Sequence, residues 1–265
     1  MTGSTDAAHA SRYFSRWVQA EPDRAERVAQ LAADRVDTLD FPDLLARELA
    51  AGLPLERAMR RLRNLVVCTL IARDLAGTAD LAEVVASMTA FADFAVRTHV
   101  ADIERELTLL HGVPTGEESG KPQHLIVLAM GKHGGGELNV SSDIDLIFVY
   151  PEDGDTVCTE AGQKSLSNHE FFIRAGKRFM KALSEITEDG YTFRVDMALR
   201  PNGNSGPLAA SLNMVEQYLI VQGREWERYA WVKARAVTGQ LEDIAALDAI
   251  ARPFVFRRYL DFSVI

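Results

Sequence analysis

Residues 130–150 read MGKHGGGELNVSSDIDLIFVY, and the apolar run LIVLAM at 125–130 leads into them. A short apolar run closed by glycine reads as a buried strand. Gly131, Gly134, Gly135 and Gly136 follow directly on it. The expected result is a tight turn that presents backbone N–H groups to an anion before a helix starts. The spacing fits neither a Walker A loop, which needs a closing Gly-Lys-Ser/Thr, nor a dinucleotide fingerprint. IDLIFVY at 144–150 reads as a second strand, with Asp143 and Asp145 two residues apart at its opening, so that both carboxylates leave one face of the sheet. Like charges that close in a half-buried position repel unless a cation relieves them. Mg2+, a hard ion that takes carboxylate, water and phosphate oxygens, is the natural candidate, and an anion-binding turn beside it implies a phosphoryl bond in the substrate. The plain alternative is that Ser141, Ser142 and Asp143 merely cap a turn. Capping leaves Asp145 unexplained, because it stands between Ile144 and Leu146 and is costly to bury unpaired.

YTFRVDMAL at 191–199 alternates with period two. Phe193, Val195, Met197 and Leu199 take one face, leaving Thr192, Arg194, Asp196, Ala198 and Arg200 on the other. Asp196 is therefore the candidate third carboxylate of a site for two ions, the alternative being a surface strand with Arg194 and Asp196 solvated. Arg200 opens the loop RPNGNSGPL at 200–208 as a candidate phosphate clamp. Lys233 and Arg235, read as lying in a helix with Trp226, Tyr229 and Trp231, are candidate phosphate contacts, with a solvated basic face as the equal alternative. Lys132 and Ser142 join Gly131, Gly134 and Gly135 as candidate nucleotide-binding positions. His133 and His169 lack a second-ligand spacing, so hydrogen-bonded or surface roles are expected of them. The pairs Asp102/Glu104 and Asp153/Asp155 receive no role.

Around this stretch the 265 residues are 47% apolar, the composition of a globular chain with one large domain or two small ones. A formal charge of −9 provides no global positive field for a nucleic-acid backbone. The two cysteines, Cys68 and Cys158, match no metal-ligand spacing and fit a reducing compartment, so cytoplasm is expected. The N-terminal MTGSTDAAHASRYF is no export signal, and the longest apolar run is far too short for a membrane span. From about 11 to 111, apolar residues recur at three- and four-residue steps, as in Leu55, Met59, Leu62, Val66 and Leu70, which predicts some four helices. GVPTGEESGKP at 112–122 reads as an exposed connection. A helix of about twenty residues is expected near 167–187, and helices again from Leu212 onward. The segmentation is a helical 1–111, a linker at 112–122, a core at 123–210 and a helical 211–265. The class is α+β, a small mixed or antiparallel sheet flanked by helices.

At these residues the sequence resembles the nucleotidyltransferase superfamily related to DNA polymerase β: a strand, a turn starting at Gly131-Lys132, then Asp143-Ile144-Asp145-Leu146, and a third Asp on a later strand. The resemblance extends further. The stretch 130–150, RVDMALRPNGNSGPLAAS at 194–211, QGREWERYAWVKARAV at 222–237 and RPFVFRRYLDFSVI at 252–265 together resemble the bacterial bifunctional glutamine synthetase adenylyltransferase/adenylyl-removing enzymes. That family carries two nucleotidyltransferase copies in one longer chain. The helical segment from Met1 and the GKxGGGELN spelling resemble the N-terminal, adenylyl-removing copy, and the chain stops at DFSVI as a truncated one would. His133 stands where an aliphatic residue is expected, with an effect on packing under the turn.

The resemblance implies removal of AMP from a tyrosine of glutamine synthetase by phosphorolysis, yielding ADP and free tyrosine. Asp143, Asp145 and Asp196 would hold Mg2+, two ions in all, and the glycine turn would hold phosphate or ADP/ATP oxygens. Regulation in the family involves the PII signal protein and glutamine. Two alternatives stand beside this expectation. One is ATP-dependent adenylylation of the same tyrosine, and the other is a regulatory module that binds nucleotide or a signal protein without turnover.

Overall fold

The computed structural model describes residues 10–21 and 23–256, so 257–265 of the last family-like stretch lie outside the described residues. The chain forms two compact units, each assembled from separate stretches. The first takes the chain up to Ala95 together with Gly136–Ser142 and Ala182–Arg194. The second takes Val96–Gly135, Asp143–Lys181 and the chain from Val195 onward. The class read from the sequence, α+β, holds.

In the first unit, helices α1 (Arg12–Ala20), α2 (Arg24–Leu31), α3 (Phe41–Ala50) and α4 (Leu55–Leu75) are followed by the opening half of α5 (Leu81–His111). Starts are marked locally. The Ser11 hydroxyl accepts the Phe14 amide, the Asp40 carboxylate accepts the Asp43 amide with Pro42 in the first turn, and Pro54 precedes α4. The apolar stripe of α4 packs as expected, with Met59, Leu62, Val66 and Leu70 almost fully buried. Phe91 meets Phe41 edge-on at 5.4 Å and Phe193 at 5.9 Å.

A buried ion pair ties this unit together. Glu83 is fully buried, and its carboxylate accepts from Arg73 Nε at 2.7 Å and from the Val36 amide at 3.0 Å. Arg73 also donates to the carbonyls of Ala32 and Thr78. Burial alone would raise the Glu83 carboxyl, but the Arg73 and Val36 hydrogen bonds hold it below the ordinary carboxylate range.

The second unit contains a two-stranded ladder and a larger sheet. Strand β1 (Val113–Gly116) pairs antiparallel with β4 (Gly154–Val157). The larger sheet runs β5 (Val195–Asp196), β3 (Ile144–Tyr150), β2 (Ile126–Ala129), β7 (Arg235–Ala236), and β6 (Ala209–Ser211) pairs with the far end of β3 on the same edge as β5. Strands β2 and β7 are antiparallel neighbours, as are β2 and β3, whereas β5 and β6 run parallel to β3. One face of the sheet meets α7 (Asn168–Ser184), where Phe148 packs edge-on against Phe179 at 5.5 Å and Tyr150 stacks on Phe172 at 5.0 Å. Ile126, Leu128, Ile147 and Val149 pack in a second cluster with Val215 and Leu219 of α8 (Leu212–Val221), Trp231 of α9 (Glu225–Trp231), and Leu247 and Phe254 of α10 (Leu241–Val255). Among the described residues no helix is long and apolar enough to cross a membrane.

Four local expectations are corrected. The stretch 112–122 is not only a connection, since it contains β1, whose Pro114 and Gly116 hid the strand. The alternating run 191–199 is a strand only at Val195–Asp196, because turns at Asp196–Ala198 and Met197–Arg200 bend the chain immediately afterwards. Lys233 follows α9 and Arg235 lies on β7, so neither is on a helix. Helix α7 ends at Ser184, before the expected Thr187.

Replacing Glu83 with alanine leaves Arg73 buried without its partner, a change of about 3–5 kcal/mol in comparable cases. A lowered urea midpoint at neutral pH is the expected result. Because the native carboxyl titrates below its unfolded value, the difference between wild type and Glu83→Ala should shrink as pH falls through that range.

Candidate active site

The parallel pairing of β3 with β5 sets Ile144 opposite Val195 and Asp145 opposite Asp196. Facing residues on adjacent strands share a sheet face, so the two carboxylates are neighbours. Asp143 sits one residue ahead of β3, exposed, and Asp145 is half-buried. Burial raises the Asp145 carboxyl above its ordinary value, and the charges of Asp196 and then Asp143 raise it further, while His133 and Lys132 oppose them in part. One oxygen of Asp196 accepts the Ala198 amide at 2.7 Å, which fixes the carboxylate at the end of its strand.

The glycine-rich segment closes over Asp145. The Met130 amide donates to the Asp145 carbonyl at 2.9 Å, and the chain then enters the one-turn helix α6 (Gly131–Gly134). Gly131 has φ +52, and a Cβ there would lie 2.5 Å from Asp145 Oδ2. Only glycine accepts both that backbone and that approach. Gly134 is a packing glycine, because its Cβ would lie 2.0 Å from the Lys233 carbonyl and 2.5 Å from that of Ala129. The helix thus begins inside the glycine stretch rather than after it. The amides of Gly134 and Gly135 donate to the carbonyls of Met130 and Gly131, so these two N–H groups serve the turn itself.

The remaining candidates separate. Lys132 is exposed, close enough to Asp145 to lower its pKa. Arg200 donates to the Met197 carbonyl at 2.8 Å and approaches Asn204, and its buried Nε has no hydrogen-bond partner. Arg235 donates to the His133 carbonyl at 3.3 Å. His133 is fully buried, consistent with a packing role, and His169 hydrogen-bonds with the Tyr150 hydroxyl. Ser142 belongs to the first unit and bonds Asn139. Asn139 carries no chemical signal of its own in the sequence. Its side-chain oxygen accepts the Ser141 amide and both serine hydroxyls, a turn that the spelling Asn-x-Ser-Ser signals. The glycine spelling does not show the close approach of Gly131 to Asp145, since glycine count alone does not say what the backbone must approach.

Among the described residues no three His, Cys, Asp or Glu side chains are already gathered into a cluster fit to hold a metal ion. The donor chemistry nevertheless suits a hard cation. The candidates are carboxylates only, and the half-buried Asp145 is pushed up by two like charges with a glycine backbone against it.

Residues 5–249 match the family model described as glutamate-ammonia ligase adenylyltransferase. The chain belongs to this adenylyltransferase family. It is 53% identical, over 96% of its length, to a bifunctional glutamine synthetase adenylyltransferase/adenylyl-removing enzyme of Ralstonia nicotianae. Proteins of the same description from Nitrosomonas europaea and Aromatoleum aromaticum are 50% and 49% identical over 96% and 98% of this chain. The chain spans 27% of the length of each of these three relatives.

In this chain the raised Asp145 carboxyl makes the folded state hold a proton more tightly than the unfolded one, so its ionised form destabilises the fold above that pKa. Asp145→Asn is therefore expected to raise the thermal midpoint at neutral pH in the presence of a chelator. The gain should fade as pH drops through the carboxylate range. Calorimetric scans from pH 4 to pH 8 would check it; an unchanged or lower midpoint at neutral pH contradicts the stated electrostatics.

Proposed function

We propose that this chain removes AMP from the adenylyl-tyrosine of glutamine synthetase by phosphorolysis in the cytoplasm. The observation that carries the reading is the register that sets Asp145 beside Asp196 under Gly131, in a chain of the adenylyltransferase family. The names of the relatives supply glutamine synthetase as substrate, and the GKxGGGELN spelling supports the removing direction.

An oxygen of inorganic phosphate forms a bond to the adenylyl phosphorus while the bond from that phosphorus to the tyrosine oxygen breaks. ADP leaves, and the tyrosine oxygen takes up the proton that hydrogen phosphate brought. Both reactants are anions, so the task is electrostatic rather than nucleophilic, and no covalent side-chain nucleophile is required. Mg2+ held by Asp143, Asp145 and Asp196 would supply the charge neutralisation at the reacting phosphorus. Lys132, exposed and close enough to Asp145 to lower its pKa, would pair with a phosphate oxygen. Arg200, whose guanidinium bonds the Met197 carbonyl, would hold the turn after Asp196 and add positive charge for a phosphate there. Arg235 holds the His133 carbonyl and so steadies the turn that carries Gly131 against Asp145.

Adenylylated glutamine synthetase, phosphate and Mg2+ added to the purified chain should release ADP. Asp145→Asn and Asp196→Asn should each lower that rate on the order of 10²-fold or more, the scale found when one electrostatic element of a site is lost. AMP incorporation from ATP into unmodified synthetase, without ADP release in the first assay, would reverse the direction. Wild-type silence in both assays would refute autonomous turnover.

A further inference from the structure

The helical unit contains a cavity of about 700 Å³, within the size range of small-molecule sites. All of its lining residues belong to that unit, drawn from α1, the start of α2, α4 and the stretches Gly136–Ser142 and Ala182–Arg194. Tyr13, Trp17 and Tyr191 contribute aromatic wall. Most of the lining charge is already matched: Arg24 pairs with Glu21 at 2.6 Å, and Glu188 and Asp189 pair with Arg57 at 2.5 and 2.7 Å. Arg63 differs. It is 9% exposed, no carboxylate pairs with it among the described residues, and its Nε is buried without a hydrogen-bond partner. Its contacts include a 3.3 Å bond to the Val140 carbonyl, a hydrogen bond with the Tyr13 hydroxyl and the Tyr191 ring 5.2 Å away, all of them neutral groups. A buried guanidinium with no counter-charge is costly, and an anion in the cavity would relieve it.

We propose that this cavity is a second ligand site, separate from the carboxylate site, for a small organic anion that carries a flat ring. The anionic group sits on Arg63, with Arg16 at the exposed wall, and the ring lies among Tyr13, Trp17 and Tyr191. The planar guanidinium suits phosphate or carboxylate oxygens, and the aromatic wall suits a planar body.

Occupancy has a route to the chemistry through the chain itself. Arg63 and Arg194 both lie over the Tyr191 ring and donate to the consecutive carbonyls of Val140 and Ser141. Val140 and Ser141 lead directly into Asp143, and Tyr191 to Arg194 lead directly into Asp196. An anion that draws Arg63 from the Val140 carbonyl therefore acts on both chain segments that deliver candidate metal ligands. The site does not depend on the direction of adenylyl transfer.

The test is isothermal titration of the full chain with AMP, phenyl phosphate and benzoate, with inorganic phosphate as the ringless control. At least one ring-bearing anion is expected to saturate with Kd below about 1 mM, more tightly than phosphate alone. Binding should persist in the Asp145→Asn/Asp196→Asn double variant, which separates this cavity from the catalytic carboxylates. Arg63→Gln should weaken it at least tenfold, and Arg16→Gln, at an exposed position where folding is safe, should weaken it several-fold. Preference among the probes assigns the anion: AMP and phenyl phosphate indicate a phosphate ligand, benzoate a carboxylate. The proposal is overturned if no ring-bearing probe saturates, if binding vanishes in the double Asp variant, or if neither arginine substitution changes it.

Discussion

Everything at the site depends on one backbone register, that of Asp145 opposite Asp196 across the parallel β3–β5 pair. A slip of one residue would send Asp196 to the other face of the sheet and leave Asp145 without its neighbour. Strand β5 is only two residues long, so ladder hydrogen bonds alone hold this register weakly. The turn after it does much of the work. The Asp196 carboxylate accepts the Ala198 amide, the Arg200 amide and guanidinium both donate to the Met197 carbonyl, and β6 then rejoins the same edge of β3. The loop that follows Asp196 is thus part of the register, and Arg200 is structural there as well as a candidate phosphate ligand.

The glycines answer to the same constraint from the other side. Strand β2 must end where its continuation can lie against the Asp145 carboxylate, which demands the absent Cβ and positive φ of Gly131. One turn later the backbone passes the Lys233 carbonyl, which demands Gly134. Arg235 on β7 then fastens the His133 carbonyl to the sheet edge. Strand β7 therefore contributes to the site by holding the turn, a role that its two residues could not announce through periodicity.

The features legible in the sequence were those with a strong local signal. LIVLAM and IDLIFVY are apolar enough to be buried strands, and the stripe of α4 repeats over many turns. Asp145 stood out because an acid between Ile144 and Leu146 has no comfortable place in a core. What stayed hidden depends on long-range pairing. Strand β1 exists because β4 lies beside it, although its own residues include Pro114 and Gly116. From Phe193 to Leu199 the alternation holds for the side chains but not for the backbone, since the hydrogen bonds made after Asp196 bend the chain, and Thr192, read onto the polar face, is fully buried. Both units are also discontinuous, which a reading in consecutive segments does not capture. Gly136–Ser142 and Ala182–Arg194 belong to the helical unit, and the chain returns to the sheet-bearing one at Asp143 and Val195, respectively.

Two buried or half-buried acids of the chain show how electrostatics separates scaffold from site. Glu83 is fully enclosed, yet its carboxyl lies below the ordinary range because Arg73 and the Val36 amide satisfy its charge. Asp145 is less enclosed, yet its carboxyl lies above the ordinary range because burial is reinforced by Asp196 and Asp143. Burial depth alone would rank them the other way. The chain could relieve Asp145 as it relieves Glu83, with a buried arginine, but it places there a glycine backbone and two more carboxylates. Under the proposed function, the charge that the fold leaves on Asp145, beside space that a single methyl group would close, is where a cation would sit.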